Sequence, residues 1–183
     1  MQPVSDGQLV RLLQQGDAIA FGVLYEKYKK SIFWYCFRLL RDEQAAEDAT
    51  HDTFLKIRSG IHSLNNPESL RPWFFRIARN EVIQMLRKTR RNGQIENDDV
   101  WEDETPFEKY EQVETQELVR QSLDRLKTEY REVLILREFE QLSYTEIAEV
   151  TGATESSVKS RIFKARKALL KRLTPYFGEI NGK

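Results

Sequence analysis

Residues 143–172 read SYTEIAEVTGATESSVKSRIFKARKALLKR. This stretch decides the fold, because it holds a helix start, a turn and a second helix crowded with positive charge. Ser143 with Glu146 three residues on forms a capping box that opens the first helix. Ile147, Ala148 and Val150 give it an apolar side. Gly152 suits the left-handed conformation that ends a helix at low steric cost, and Thr154 can cap the helix that follows. Val158, Ile162, Ala165 and Leu169 then fall at spacings of four, three and four, which stacks them on one face. Lys159, Arg161, Lys164, Arg166, Lys167, Lys171 and Arg172 occupy the other faces against the single acid Glu155. The pattern is a helix-turn-helix whose second helix suits the major groove, where Lys and Arg meet phosphates and guanine edges. A charge run alone would equally describe a solvated helix; the capping box, the glycine turn and the apolar spacing together favour DNA.

The whole composition at first sight opposes this. The chain has 29 basic and 29 acidic side chains and no net charge, whereas nucleic-acid binders are often basic. The distribution resolves the conflict. RKTRR at 87–91 and the C-terminal helix are basic, while residues 96–114 carry nine acids against Lys109 alone. Cys36 is the only cysteine, so no intrachain disulfide can form, and its aromatic neighbours Trp34, Tyr35 and Phe37 make it a small buried hydrophobe. No run approaches the ~18 apolar residues of a membrane span, and no signal-peptide pattern opens the chain. The expected location is the cytoplasm, with no membrane insertion.

With only eight Gly and five Pro, the long stretches keep helical periodicity and show no convincing strand. Helices are expected over about 6–15, 18–40, 43–58 and 70–91, with a Ser- and Asn-rich loop at 59–69. Pro72 is tolerated because it falls in a first turn. Residues 92–114 read as a flexible acidic linker. The expected fold is all-α: two small helical domains, 1–91 and 115–175, joined by that linker and followed by a tail at 176–183. On the fourth helix Phe74, Ala78, Val82 and Met85 form an inward stripe, with Trp73, Arg76, Asn80, Arg87, Arg90 and Arg91 largely on other faces. Aromatic, amide and basic groups together suit single-stranded nucleic acid; Trp73 as a core residue is an equal alternative.

The whole chain resembles a sigma factor of the extracytoplasmic-function group of the sigma-70 family. AEDATHDTFLKI (46–57) is similar to the family's core-polymerase-binding helix, LRPWFFRIARNEVIQMLRK (70–88) to its minus-ten reader, and 142–169 to its minus-thirty-five reader. The resemblance covers nearly all of residues 18–173. It implies a bacterial protein without covalent chemistry, substrate, cofactor or metal. Its partners would be core RNA polymerase (clamp helices and flap), promoter DNA both duplex and single-stranded, and an anti-sigma factor. Glu47, Asp48, Asp52, Phe54 and Leu55 would meet the polymerase clamp. Trp73, Arg76, Asn80 and Arg87 would handle the opened minus-ten strand, with Asn80 and the loop before Leu70 receiving a flipped base. Ser157, Lys159, Ser160, Phe163, Lys164 and Arg166 would meet the minus-thirty-five duplex, Arg166 through phosphates or packing. The chain departs from the family pattern at His51–Asp52, where Gln–Glu is commoner, and at Lys164, where Arg is usual. Lysine cannot make a bidentate guanine contact.

Two other classes stay open at this level. A stand-alone regulator would use the helix-turn-helix as a dimer, but leaves the 70–91 helix without a task. A metalloenzyme could pair Glu47 with His51 one turn apart, yet metal sites need three or four ligands.

Overall fold

Each of the first three helices begins on a side chain that takes up otherwise orphaned backbone donors. A computed structural model describes residues 5–91 and 115–177. In it Ser5 and Gln8 close a capping box at the start of α1 (Asp6–Gln14). Asp17 Oδ1 accepts from Ile19 and Ala20 N–H at the start of α2 (Ala18–Leu40), and Asp42 accepts from Ala45 N–H at the start of α3 (Glu43–Gly60). α4 spans Leu70–Arg91. The C-terminal half holds α5 (Thr115–Asp124), α6 (Thr128–Leu134) running into a π turn at Ile135–Phe139, α7 (Tyr144–Thr151) and α8 (Glu155–Phe177). No strand occurs among the described residues. The expected linker at 92–114 lies outside them.

The segment expected as a loop at 59–69 is more ordered than its Ser and Asn content suggests. α3 continues to Gly60, and two 3₁₀ turns follow at Ile61–Ser63 and Pro67–Ser69. The cause lies elsewhere in the chain: Ile61 and Leu64 are buried, and the Gln14 side chain donates to both Ile61 O (3.2 Å) and Leu64 O (2.9 Å). α1 therefore braces the segment that leads into α4. Replacing Gln14 by Ala leaves two carbonyls short of a donor, at a net cost of about 1 kcal/mol per bond. Amide exchange over residues 61–69 should rise several-fold in that variant; unchanged protection would show that the brace does not hold the segment.

α2, α3 and α4 form the N-terminal core. Tyr28 meets Phe74 edge-on with centroids 5.1 Å apart, and Tyr35 meets Phe75 at 5.3 Å. Trp73 packs where α3 ends, its ring 3.4 Å from where a Cβ on Gly60 would stand. Burial pushes the Cys36 thiol up to about 12, so it sits in the core as a neutral side chain. In the C-terminal half, Ser143 and Glu146 close the expected capping box, and Gly152 turns the chain at φ 67°.

The two halves do not merely share a chain. Their buried apolar residues form one continuous cluster, and α4 lies against α7. Polar groups cross the seam. Glu132 of α6 is buried and accepts from Tyr35 Oη (2.9 Å) and Arg79 Nε (2.8 Å). Glu140 accepts from Ser31 Oγ, and its carbonyl accepts from Arg71 (2.7 Å). Arg131, fully buried, donates to Leu39 O (3.3 Å). Arg41 reaches Asp124 (3.3 Å), and the Arg38 guanidinium lies 4.0 Å from the centre of the Phe139 ring. Burial raises the Glu132 carboxyl above its ordinary value, opposed by Arg79 and Tyr35. A charge buried this deeply is tolerable only because its partners converge on it.

Candidate nucleic-acid and protein interfaces

α8 separates its two tasks by face. Val158, Ile162, Ala165 and Ala168 are buried against the rest of the half. Thr154 Oγ1 accepts from Ser157 N–H (3.2 Å) and starts the helix where the sequence placed it. Lys159, Ser160, Phe163, Lys164 and Lys167 are exposed along the opposite face, with Ser157 half-buried at its edge. Phe163 is 69% exposed, an apolar ring amid cations. A thymine methyl in the major groove would offer such a ring contact.

Neighbouring acids hold parts of this face in place. Lys159 Nζ lies 2.7 Å from Glu155 and 5.6 Å from the centre of the Tyr144 ring. Its bond to Glu155 raises the Lys159 ammonium above its ordinary value and lowers the Glu155 carboxyl. Thr145 Oγ1 donates to the same carboxylate (3.0 Å). Arg166 is paired with Glu138 at 2.6 Å, and Arg161 with Glu129 at 3.3 Å. Arg166 and Arg161 are thus tied to the body of the half. Both Lys159 and Glu155 are solvent-facing, so the pair adds little stability. It does fix where the Lys159 ammonium points.

α4 carries a second exposed stripe: Arg76, Asn80, Gln84, Arg87 and Arg91, at helical spacing. Of the four residues expected at an opened strand, Arg76, Asn80 and Arg87 lie here. Trp73 does not. At 9% exposure its indole is packed on Gly60 and Phe74, so no base can stack on it in this conformation.

On α3, Glu47, Asp48 and His51 are exposed, Asp52 is half-buried, and Leu55 stands out at 52% exposure. An exposed leucine beside carboxylates suits a protein partner with a basic, partly apolar surface. Phe54 faces the other way. It is 4% exposed and meets Tyr25 edge-on at 4.7 Å. A groove of about 490 Å³ joins this acidic face to the basic end of α4, lined by Asp52, Glu81, Gln84, Met85, Arg87, Lys88 and Arg91. Lys56 Nζ, 2.6 Å from the buried Glu81 carboxylate, supports its wall. Among the described residues no cluster of three or more His, Cys, Asp and Glu side chains is placed to hold a metal ion. No helix among them is long and apolar enough to cross a membrane.

Sequence reasoning missed the seam residues: Tyr35, Arg71, Arg79, Arg131, Glu132 and Glu140. One signal was available. Arg79 lies four residues after Phe75 and three before Val82, on the inward stripe of α4, where an unpaired charge would be costly.

Comparison with known proteins agrees with both halves. Residues 24–92 match the model of sigma-70 region 2, and residues 116–169 match that of sigma-70, region 4. The RNA polymerase sigma-H factor of Pseudomonas aeruginosa is 33% identical over 95% of this chain and 96% of its own length. The sigma factor YlaC of Bacillus subtilis is 35% identical over 82% of this chain and 90% of its own. The ECF sigma factor SigW of the same organism is 28% identical over 90% and 94%. Among solved structures, the sigma factor RpoE of Bartonella quintana, in complex with the anti-sigma factor NepR, is 25% identical. It covers 84% of this chain and 96% of its own with a TM-score of 0.69. CnrH, in complex with the cytosolic domain of CnrY, is 24% identical over 93% and 97% with a TM-score of 0.70.

Proposed function

The chain belongs to the extracytoplasmic-function group of the sigma-70 family, and from that premise we propose how its surfaces divide the work of a promoter-recognising RNA polymerase sigma factor. The α3 face of Glu47, Asp48, Asp52 and Leu55 docks on core polymerase. Arg76, Asn80 and Arg87 on α4 follow the opened minus-ten strand, and the groove beside Asp52 brings that strand close to the polymerase contact. Lys159, Ser160, Phe163 and Lys164 enter the minus-thirty-five major groove with Ser157 at the edge, while Arg166 meets phosphate. Phe54 and Trp73 act from behind, the first by backing the α3 face and the second by fixing the end of α3 against α4. The protein's task is placement and strand capture rather than covalent chemistry, carried out with the transcription machinery of the cell interior.

The observation that carries this reading is the pair of exposed basic faces, one per half, each backed by a buried apolar stripe and the first flanked by an acidic, leucine-bearing surface. The same reading gives the chain an anti-sigma partner, of the kind with which RpoE was solved.

Reconstitution with core RNA polymerase tests it. Addition of the chain should yield transcripts with a common pair of upstream elements, mapped by their 5′ ends. Asp48→Lys with Leu55→Ala should lower the affinity for core at least tenfold while leaving duplex binding by the C-terminal half unchanged. Tight, polymerase-free binding to paired half-sites, without any promoter-dependent transcript, would instead make the chain a stand-alone regulator.

A further inference from the structure

We propose that the groove between α3 and α4 is a guanine-nucleotide site, in which Glu81 and Gln84 take the base edge and Lys88 and Arg91 the phosphate. The ligand is a free guanine nucleotide or an unpaired guanine of an opened strand; only the second source rests on the sigma-factor reading.

The two helices fix the order of groups along the groove. Trp73 packs at Gly60, and Glu81 meets Lys56, so α3 and α4 run antiparallel. Asp52, one turn before Lys56, therefore stands opposite Met85, in the middle of the groove. Along α4 the lining runs from Glu81 through Gln84 and Met85 to Lys88 and Arg91. At about 1.5 Å per residue, Lys88 lies about 10 Å beyond Glu81 and Arg91 about 15 Å. One end of the groove is an acceptor and the other is cationic.

The acceptor end is only half used by the protein. Glu81 is 4% exposed, and its Oε1 accepts from Lys56 Nζ at 2.6 Å. Its Oε2 has no hydrogen-bond partner among the described residues. A buried carboxylate oxygen is costly unless water or a ligand supplies the donor. At the far end Lys88 and Arg91 are exposed and form no ion pair among the described residues. On α8, by contrast, Lys159, Arg161 and Arg166 each face an acid.

A ligand that fits must join N–H donors at one end to an anion about 10 Å away. An amino acid carries its ammonium and carboxylate on one carbon and is too short. A nucleotide sets a sugar between the two. The groove's volume of about 490 Å³ lies within the span of small-ligand sites, about 300–1,000 Å³. The half-buried Met85 thioether suits the face of an aromatic ring. Asp52, opposite the middle, can accept from a ribose hydroxyl, as acids do in other nucleotide sites.

The base follows from the hydrogen-bonding pattern. Guanine alone among the common bases presents two N–H donors, N1 and N2, beside one acceptor, O6. A carboxylate accepts from both donors. Gln84, three residues after Glu81 and so its neighbour on the helix surface, donates its amide to O6. Adenine and cytosine each offer a single donor along the same edge.

Calorimetric titration of the full chain tests the site, with guanosine, adenosine and cytidine diphosphates at one salt concentration. The guanine nucleotide should bind at least about tenfold more tightly than the other two, because they leave Glu81 short of a donor. Glu81→Gln, which keeps the shape of the side chain, should abolish that preference. Should this variant loosen the fold, Gln84→Ala on the exposed surface decides: the preference should fall about fivefold, the worth of one hydrogen bond. Lys88→Ala with Arg91→Ala should weaken the diphosphate about tenfold while guanosine binding stays unchanged. A short oligothymidylate, with and without one central dG, separates the sources. A preference shown by the free nucleotide assigns the groove to a soluble ligand; one shown by the oligonucleotide alone assigns it to the opened strand. No preference in either, or one indifferent to Glu81 and Gln84, overturns the proposal. Promoter-directed transcription with core polymerase judges the sigma-factor reading separately. A chain that binds guanine but directs no transcript keeps the groove and loses that reading; a transcribing chain without the preference loses the groove alone.

Discussion

Glu132→Ala should lower the unfolding free energy by about 3–5 kcal/mol, the cost of leaving buried partners of a charge uncompensated. The substitution strands Tyr35 Oη, which is fully buried, and the Arg79 guanidinium, both of which now donate to Glu132 Oε1. Domains of this size are stable by about 5–15 kcal/mol, so the loss would be about a fifth or more of the total. Urea unfolding read by Trp fluorescence measures it: the midpoint falls, and the transition splits in two if the halves part before either unfolds. Glu132→Gln should cost clearly less, because its amide oxygen still accepts from Tyr35. Glu155→Ala is the contrasting control. Its pair with Lys159 is exposed, and stability should be unchanged within experimental scatter. A loss at Glu132 no greater than at Glu155 would show that the seam carries no such charge.

The second large effect belongs to α8. Lys164→Ala should weaken binding to the cognate minus-thirty-five duplex by about 1–3 kcal/mol, about 5- to 150-fold, if the side chain reads a base edge. The loss should be confined to the cognate sequence. Arg166→Ala should behave differently. Its guanidinium is tied to Glu138 (2.6 Å), and a phosphate contact there weakens all sequences alike and reduces the salt slope by about one. Lys164→Arg gives the converse test: a planar fork can take guanine bidentately where an ammonium cannot, so discrimination at one position should sharpen severalfold. Titrations of cognate and scrambled duplexes at two salt concentrations separate these outcomes. A uniform loss in Lys164→Ala would place that residue on the backbone instead.

The helix-turn-helix was legible because every level of the local signal agreed. Ser143 and Glu146 cap, Gly152 turns, and the apolar spacing from Val158 to Ala165 points one way. Such features act within a turn or two of chain, so the order of residues is enough to read them. The same holds for the exposed placement of Lys159, Phe163, Arg76 and Asn80, which follows from what lies three and four residues away.

Position on a helix does not say what approaches it from elsewhere. Trp73 and Phe54 looked available for partners, and both are core residues. The indole packs against Gly60 at the end of α3, and Tyr25 one helix away covers Phe54. The stretch at 61–69 read as a loop because its composition is polar, yet Gln14, some fifty positions earlier, organises it. The seam between the halves is the extreme case. Glu132, about a hundred residues after Tyr35, carries no local mark of its task, since a carboxylate on a short helix ordinarily faces water. The sequence by itself determined the helices, the two basic faces and the family. Only the tertiary structure decided which aromatic residues are spent on the core and that the halves hold each other, because burial and ion pairing depend on distances in space that chain order does not set.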